Sequence, residues 1–161
     1  MAQTAQSPNK VDDEVADAFI VASRALVGLA IRSINAAPVE LTLPQHRLLV
    51  LLATGGQSSI GVLAEQLGVD QSNASRLCDR LEKLGLIARE RSTRDRRSVE
   101  VSLTAPGQDL LDTVHAHRRR EVKAILADMS TRQVEATVRA LKAFSAAAHE
   151  SADSDWSAHA L

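Results

Sequence analysis

The chain has 161 residues, 45% of them apolar, and a formal net charge of −1. That is the scale of one small domain, and the near-neutral balance argues against a uniformly basic surface. Aromatics amount to two Phe, one Trp and no Tyr, so the core must come from Leu, Val, Ile and Ala, which suits packed helices. No apolar run approaches the roughly 18 residues of a membrane span, and no basic-then-apolar leader is present. The single cysteine, Cys78, excludes an internal disulfide framework; it fits a reducing cytoplasm, which is the expected location.

Residues 1–11 are polar, contain Pro8 and lack periodicity, and read as a disordered tail. From Asp12 a helical pattern begins, with Ala16, Phe19, Ile20, Ser23, Leu26, Val27, Ala30, Ile31 and Ile34 recurring on one face until Pro38. A second helix is predicted from near Pro44, carrying Leu48, Leu49, Leu51 and Leu52, and stopped by Gly55-Gly56. Two short helices follow. Ser59 can cap the first, whose inward residues are Ile60, Leu63, Ala64 and Leu67, and Gly68 can end it. Asp70 can cap the second, which runs to about Leu84 before Gly85.

Beyond Gly85 the period changes from 3.6 to 2. Leu86–Arg91 and Ser98–Leu103 are strand candidates, joined by a charged tip over residues 92–97. Thr104 caps a long helix to about Ala127, with Pro106 harmless in its first turn. A last helix spans about Thr131 to His149, and residues 151–161 read as a loose tail. The expected fold is therefore mainly α with a small β-hairpin wing. One domain covers residues 12–150: a winged helix-turn-helix over about 44–104, with pairing helices over about 12–36 and 105–150.

The second short helix carries the chemistry. Ala74, Leu77, Leu81 and Leu84 fall on one side of it and are expected to face the core. Ser72, Ser75, Arg76, Asp79 and Lys83 cluster opposite, with Gln71 at the rim. Small hydroxyls around one Arg suit a helix inserted in a major groove, where Arg76 can contact guanine bidentately. From Arg76 to Arg97 eight basic residues stand against four acidic ones, so the rest of the chain carries −5. Three of those arginines, Arg94, Arg96 and Arg97, sit at the hairpin tip. Nothing in hairpin folding calls for them, and a narrow arginine loop suits a minor groove. Asp95 can steady a neighbouring arginine by a bidentate pair.

Together these stretches resemble the MarR family of regulators: residues 68–87 around Ser75-Arg76 and Asp79-Arg80-Leu81…Gly85, then Arg89-Glu-Arg, Asp95-Arg-Arg, and Leu103-Thr104…Gly107. The likeness covers roughly residues 15–148, departing at Ala105-Pro106, where acidic and basic residues are usual. It implies a homodimeric, sequence-specific regulator of transcription, a repressor, on a pseudo-palindromic double-stranded DNA operator. It also implies that Arg97 is the minor-groove residue, and that a small phenolic or anionic effector binds between the pairing helices and the DNA lobe. The DNA-reading set is thus Gln71, Ser72, Ser75, Arg76, Lys83, Arg94, Asp95, Arg96 and Arg97, with His46 and Arg47 as effector candidates.

Other chemistry finds little footing. Cys78 reads as a semi-buried structural thiol, with redox sensing as the alternative. His115 and His117 lie about 200° apart on a helix and cannot chelate one metal from one face. No paired-carboxylate, Ser/His/Asp, CxxC or phosphate-loop pattern occurs, so neither an enzyme nor a cofactor is expected. The remaining alternative is a winged-helix module that binds protein and no DNA.

Overall fold

A computed structural model describes residues 12–91 and 99–150. Both predicted tails and the hairpin-tip residues Arg94, Asp95, Arg96 and Arg97 lie outside the described residues. In chain order the elements are α1 (Asp13–Asn35), α2 (Leu43–Gly55), β1 (Ser58–Ser59), α3 (Ile60–Leu67), α4 (Gln71–Lys83), β2 (Ile87–Arg91), β3 (Val99–Leu103), α5 (Ala105–Ala127) and α6 (Thr131–Ala147). No helix among them is long and apolar enough to cross a membrane.

Side-chain caps fix most of the helix starts. Thr42 accepts from the Gln45 N–H while Gln45 reaches back to the Thr42 N–H, closing a capping box at α2. Ser59 accepts from the Val62 N–H at α3, and Thr104 from the Gly107 N–H at α5. Ser130 and Gln133 form a second box at α6. Between α3 and α4, Gly68 takes the left-handed conformation, φ +67°, which turns the chain tightly enough to bring the two helices together.

The sheet is antiparallel in the order β1-β3-β2, with Ile87 opposite Leu103 and Arg91 opposite Val99. The edge strand β1 was not predicted. It has only two serines, paired with Val101 and Glu100, so it offers no alternation to detect. The core lies where α2, α3, α4, α5 and the sheet meet, around Leu48, Leu49, Leu63, Cys78, Leu81, Val101 and Leu111. Two expectations need correcting. Leu84 does not face the core but is 40% exposed. The helix ends at Lys83, so Leu84 leaves the helical track, and Leu86 takes the inward position instead, its N–H bonded to the Leu81 carbonyl. Cys78 is not semi-buried but fully enclosed.

The helices expected to pair look different from the lobe. In α1 only Leu29, Ser33 and Ile34 are buried, while Phe19, Ile20, Leu26, Val27 and Ile31 of the predicted stripe stay exposed. No residue of α6 is buried. Phe19 stacks on Phe144, ring centres 4.9 Å apart, and α1 joins α5 through Arg32–Glu121 at 3.0 Å and Arg118–Ser33 at 3.0 Å.

The start of α5 sits directly on the turn before β2. The Thr104 hydroxyl donates to the Gly85 carbonyl at 2.7 Å and the Thr104 N–H to the Leu86 carbonyl at 3.1 Å. A Cβ at Gly107 would overlap the Leu86 carbonyl oxygen and the Leu103 side chain. Gly107→Ala is therefore expected to lower unfolding free energy by about 1–3 kcal/mol in urea denaturation. Gly61→Ala, whose Cβ would meet only the Ser59 hydroxyl at 3.9 Å, should be neutral or stabilising by about 0.5 kcal/mol. Equal midpoints for the two variants would contradict this packing.

Candidate nucleic-acid interface and adjoining cavity

Helix α4 is dry on one side and wet on the other. Ala74, Cys78 and Leu81 are each fully buried and Leu77 partly so. Gln71, Ser72, Asn73, Arg76, Arg80 and Lys83 are exposed, and Ser75 is half-buried. The predicted residues Gln71, Ser72, Ser75, Arg76 and Lys83 thus share one helix, with its leucine stripe turned away from them.

The amino end of α4 is organised by Asp70. Its carboxylate accepts from the Ser72 hydroxyl at 2.6 Å, the Asn73 N–H at 2.9 Å and the Asn73 side-chain amide at 2.7 Å. The Ser72 and Asn73 bonds hold its pKa below the usual carboxylate value. Asn73 in turn accepts from Arg76 Nη1 at 3.3 Å. Asp70, Asn73 and Arg76 form one chain of contacts along the first turn, which restrains the guanidinium expected to contact bases. The wheel did not single out Asn73. Its signal was local: an amide three residues after a capping Asp.

Arg89, part of the Arg89-Glu-Arg likeness but outside the DNA-reading set, has a structural task. It lies in β2 and reaches to α4, where Nη2 donates to the Ser75 carbonyl at 3.2 Å and to Asp79 at 2.6 Å, with Glu82 3.6 Å from Nε. Asp79, grouped by the wheel with the exposed face, is thereby committed to joining helix and hairpin. Arg91 and Val99, the last and first described residues of the two strands, are directly paired.

Cys78 is an unpromising redox centre. Burial pushes its thiol pKa up despite the nearby Arg89, and a thiolate is the reactive form.

Behind the lobe, between α1, α2, α3 and α5, lies a cavity of about 500 Å³. Leu43, Val50, Leu67 and Val69 supply apolar wall; His46, Arg47, His115 and Arg118 supply basic groups. Both effector candidates, His46 and Arg47, line it. Arg47 makes a bidentate pair with Glu150, at 2.7 and 2.8 Å, which raises the Arg47 pKa and lowers that of Glu150. His46 is buried, and its pKa falls from 6.5 to about 4, first through burial and then through the charges of Arg118, Arg47 and His115.

Three comparisons bear on identity. The MarR family model matches residues 40–98. The chain is 32% identical over 109 residues to an uncharacterized HTH-type transcriptional regulator, YfiV, of Bacillus subtilis (strain 168), covering 68% of each protein. Among solved structures it is similar to RV1404 from Mycobacterium tuberculosis, with 36% identity, a TM-score of 0.82, and coverage of 91% of this chain and 99% of that one. It is also similar to NadR solved in complex with 4-hydroxyphenylacetate, with 26% identity, a TM-score of 0.60, and coverage of 89% and 96%.

The His46 environment gives a test. With the folded pKa below the unfolded one, the unfolded chain takes up the proton first, so stability falls as pH drops from about 6.5 to 4. The loss should reach up to about 3 kcal/mol, and His46→Gln should flatten that part of the profile. An NMR titration placing His46 near 6.5 would contradict the assignment.

Proposed function

The chain belongs to the MarR family of winged helix-turn-helix DNA-binding transcription regulators, and from that premise we propose that it works as a homodimeric repressor on a pseudo-palindromic operator. In this reading α4 enters the major groove. Arg76 contacts a base edge, and Gln71, Ser72, Ser75 and Lys83 reach bases or phosphates. The tip residues Arg94, Asp95, Arg96 and Arg97 serve the adjoining minor groove, with Arg97 in contact and Asp95 orienting its neighbours. The carrying observation is the polar face of α4, restrained by Asp70 and Asn73 at its start and by Arg89 along its length.

Pairing is supported by α6, an amphipathic helix with no buried residue, and by the exposed apolar side chains of α1 beside it. An apolar helix face of that kind requires cover. A two-fold pair would carry two α4 helices about 34 Å apart, one DNA turn. Occupancy of a promoter by such a dimer is sufficient for repression, and a DNA partner implies the cytoplasm as the site of action.

Release by an effector is supported by the cavity of about 500 Å³ with its basic wall, a size usual for small-molecule sites. NadR, solved in complex with 4-hydroxyphenylacetate, is one guide to the ligand class.

Fluorescence anisotropy with an operator fragment selected by the purified protein tests the DNA reading. Affinity should fall linearly in log–log form as salt rises, and Arg97→Ala should weaken it at least about tenfold. A folded protein without operator affinity at low salt would favour the protein-binding alternative. Arg76→Ala should cost about 1–3 kcal/mol on the preferred site and relax base preference at one position in each half-site. Unchanged selectivity would contradict direct readout by Arg76.

A further inference from the structure

The effector cavity already contains a carboxylate of the chain's own. Glu150 lies just beyond α6, yet it lines the same cavity as Arg47 of α2. The two meet in the side-by-side geometry by which arginine binds any carboxylate. Among the described residues, Glu150 is the one acidic group lining a cavity that contains two arginines and two histidines.

This contact is built to exchange. Both side chains are close to half exposed, 41% and 48%, so water screens the pair and competes for it. A ligand entering the cavity would keep the charge balance if it brought one carboxylate to Arg47 and displaced the Glu150 carboxylate into water. Its gain over Glu150 would come from an apolar body laid against Leu43, Val50, Leu67 and Val69, a wall that Glu150 itself leaves uncovered. A neutral ligand of the same shape has no claim on Arg47 and leaves the pair in place.

We propose that Glu150 is an internal stand-in for the effector's charged group, and that the site selects apolar monocarboxylates by exchanging them for Glu150 on Arg47. The exchange also transmits a signal. Arg47 belongs to the DNA-reading lobe, while Glu150 follows a helix assigned above to pairing. Breaking their contact releases the end of α6 from α2. The inference rests on the reading of this cavity as the effector site.

Calorimetric titration of 2-naphthoate and neutral 2-naphthamide into the full chain tests it, with thermal melts to confirm that each variant is folded. Glu150→Gln should bind naphthoate about fivefold more tightly than the unaltered protein, the worth of one exposed ion pair, and bind naphthamide equally. Arg47→Met should weaken naphthoate about tenfold or more, with naphthamide again unchanged. Equal naphthoate affinity with and without Glu150 overturns the exchange but leaves the cavity reading standing. Failure of both probes to bind the folded protein and Glu150→Gln at millimolar concentration overturns the cavity reading itself.

Discussion

The dry seat beneath α4 is the constraint from which the rest follows. Ala74, Cys78 and Leu81 are fully buried against a core shared with α2, α3, α5 and the sheet. Burying a leucine such as Leu81 contributes about 1.5–3 kcal/mol and the smaller Ala74 and Cys78 add less, so rolling the helix would expose all three at a cost. Its remaining circumference is thereby free to be polar, and Arg89 then fixes the helix to β2 through the Ser75 carbonyl and Asp79. Helix and hairpin form one rigid tool. In a protein that reads DNA, the relative placement of those two parts decides which groove each can reach.

The packed lobe contrasts with the sparsely buried helices α1 and α6. Exposed Phe19, Ile20, Leu26, Val27, Leu141 and Phe144 leave α1 and α6 incomplete as a single chain, and a second copy would complete them. Arg118 of α5 bonds to Ser33 of α1, α5 packs Leu110 and Leu111 into the core of the lobe, and Arg47 of α2 pairs with Glu150 beyond α6. The half-exposed Arg47–Glu150 pair is easier to exchange than packed leucines. In the proposed dimer, a ligand that displaced Glu150 would act at this link and not on the packed lobe.

Much of the fold was legible because its signals are local. Ser59, Asp70 and Thr104 cap as their spacing predicted, Gly68 turns left-handed, and the change from helical to alternating period after Gly85 marks β2 and β3. Legibility ended where a feature depends on distant partners. Two serines become β1 only because β3 is beside them. Leu84 obeys the helical wheel only as long as the helix continues, and it ends one residue earlier. Cys78 lies deeper than a semi-buried thiol, since α4 is covered over a wider arc than a leucine stripe indicates. The candidate site divides the same way. Ser72, Ser75, Arg76 and Lys83 follow from the wheel, whereas Arg89 needs the 10-residue return of β2 over α4, and Glu150 needs the whole chain to fold back on α2.

The central claim is that two copies of α4 read DNA one turn apart with a wing beside each. Hydroxyl-radical footprinting on a selected operator tests it most directly. The account predicts two symmetric protected regions about 34 Å apart, centre to centre, each flanked by minor-groove protection that disappears in Arg97→Ala. A single unsymmetrical footprint, or flanking protection that persists in that variant, would contradict it.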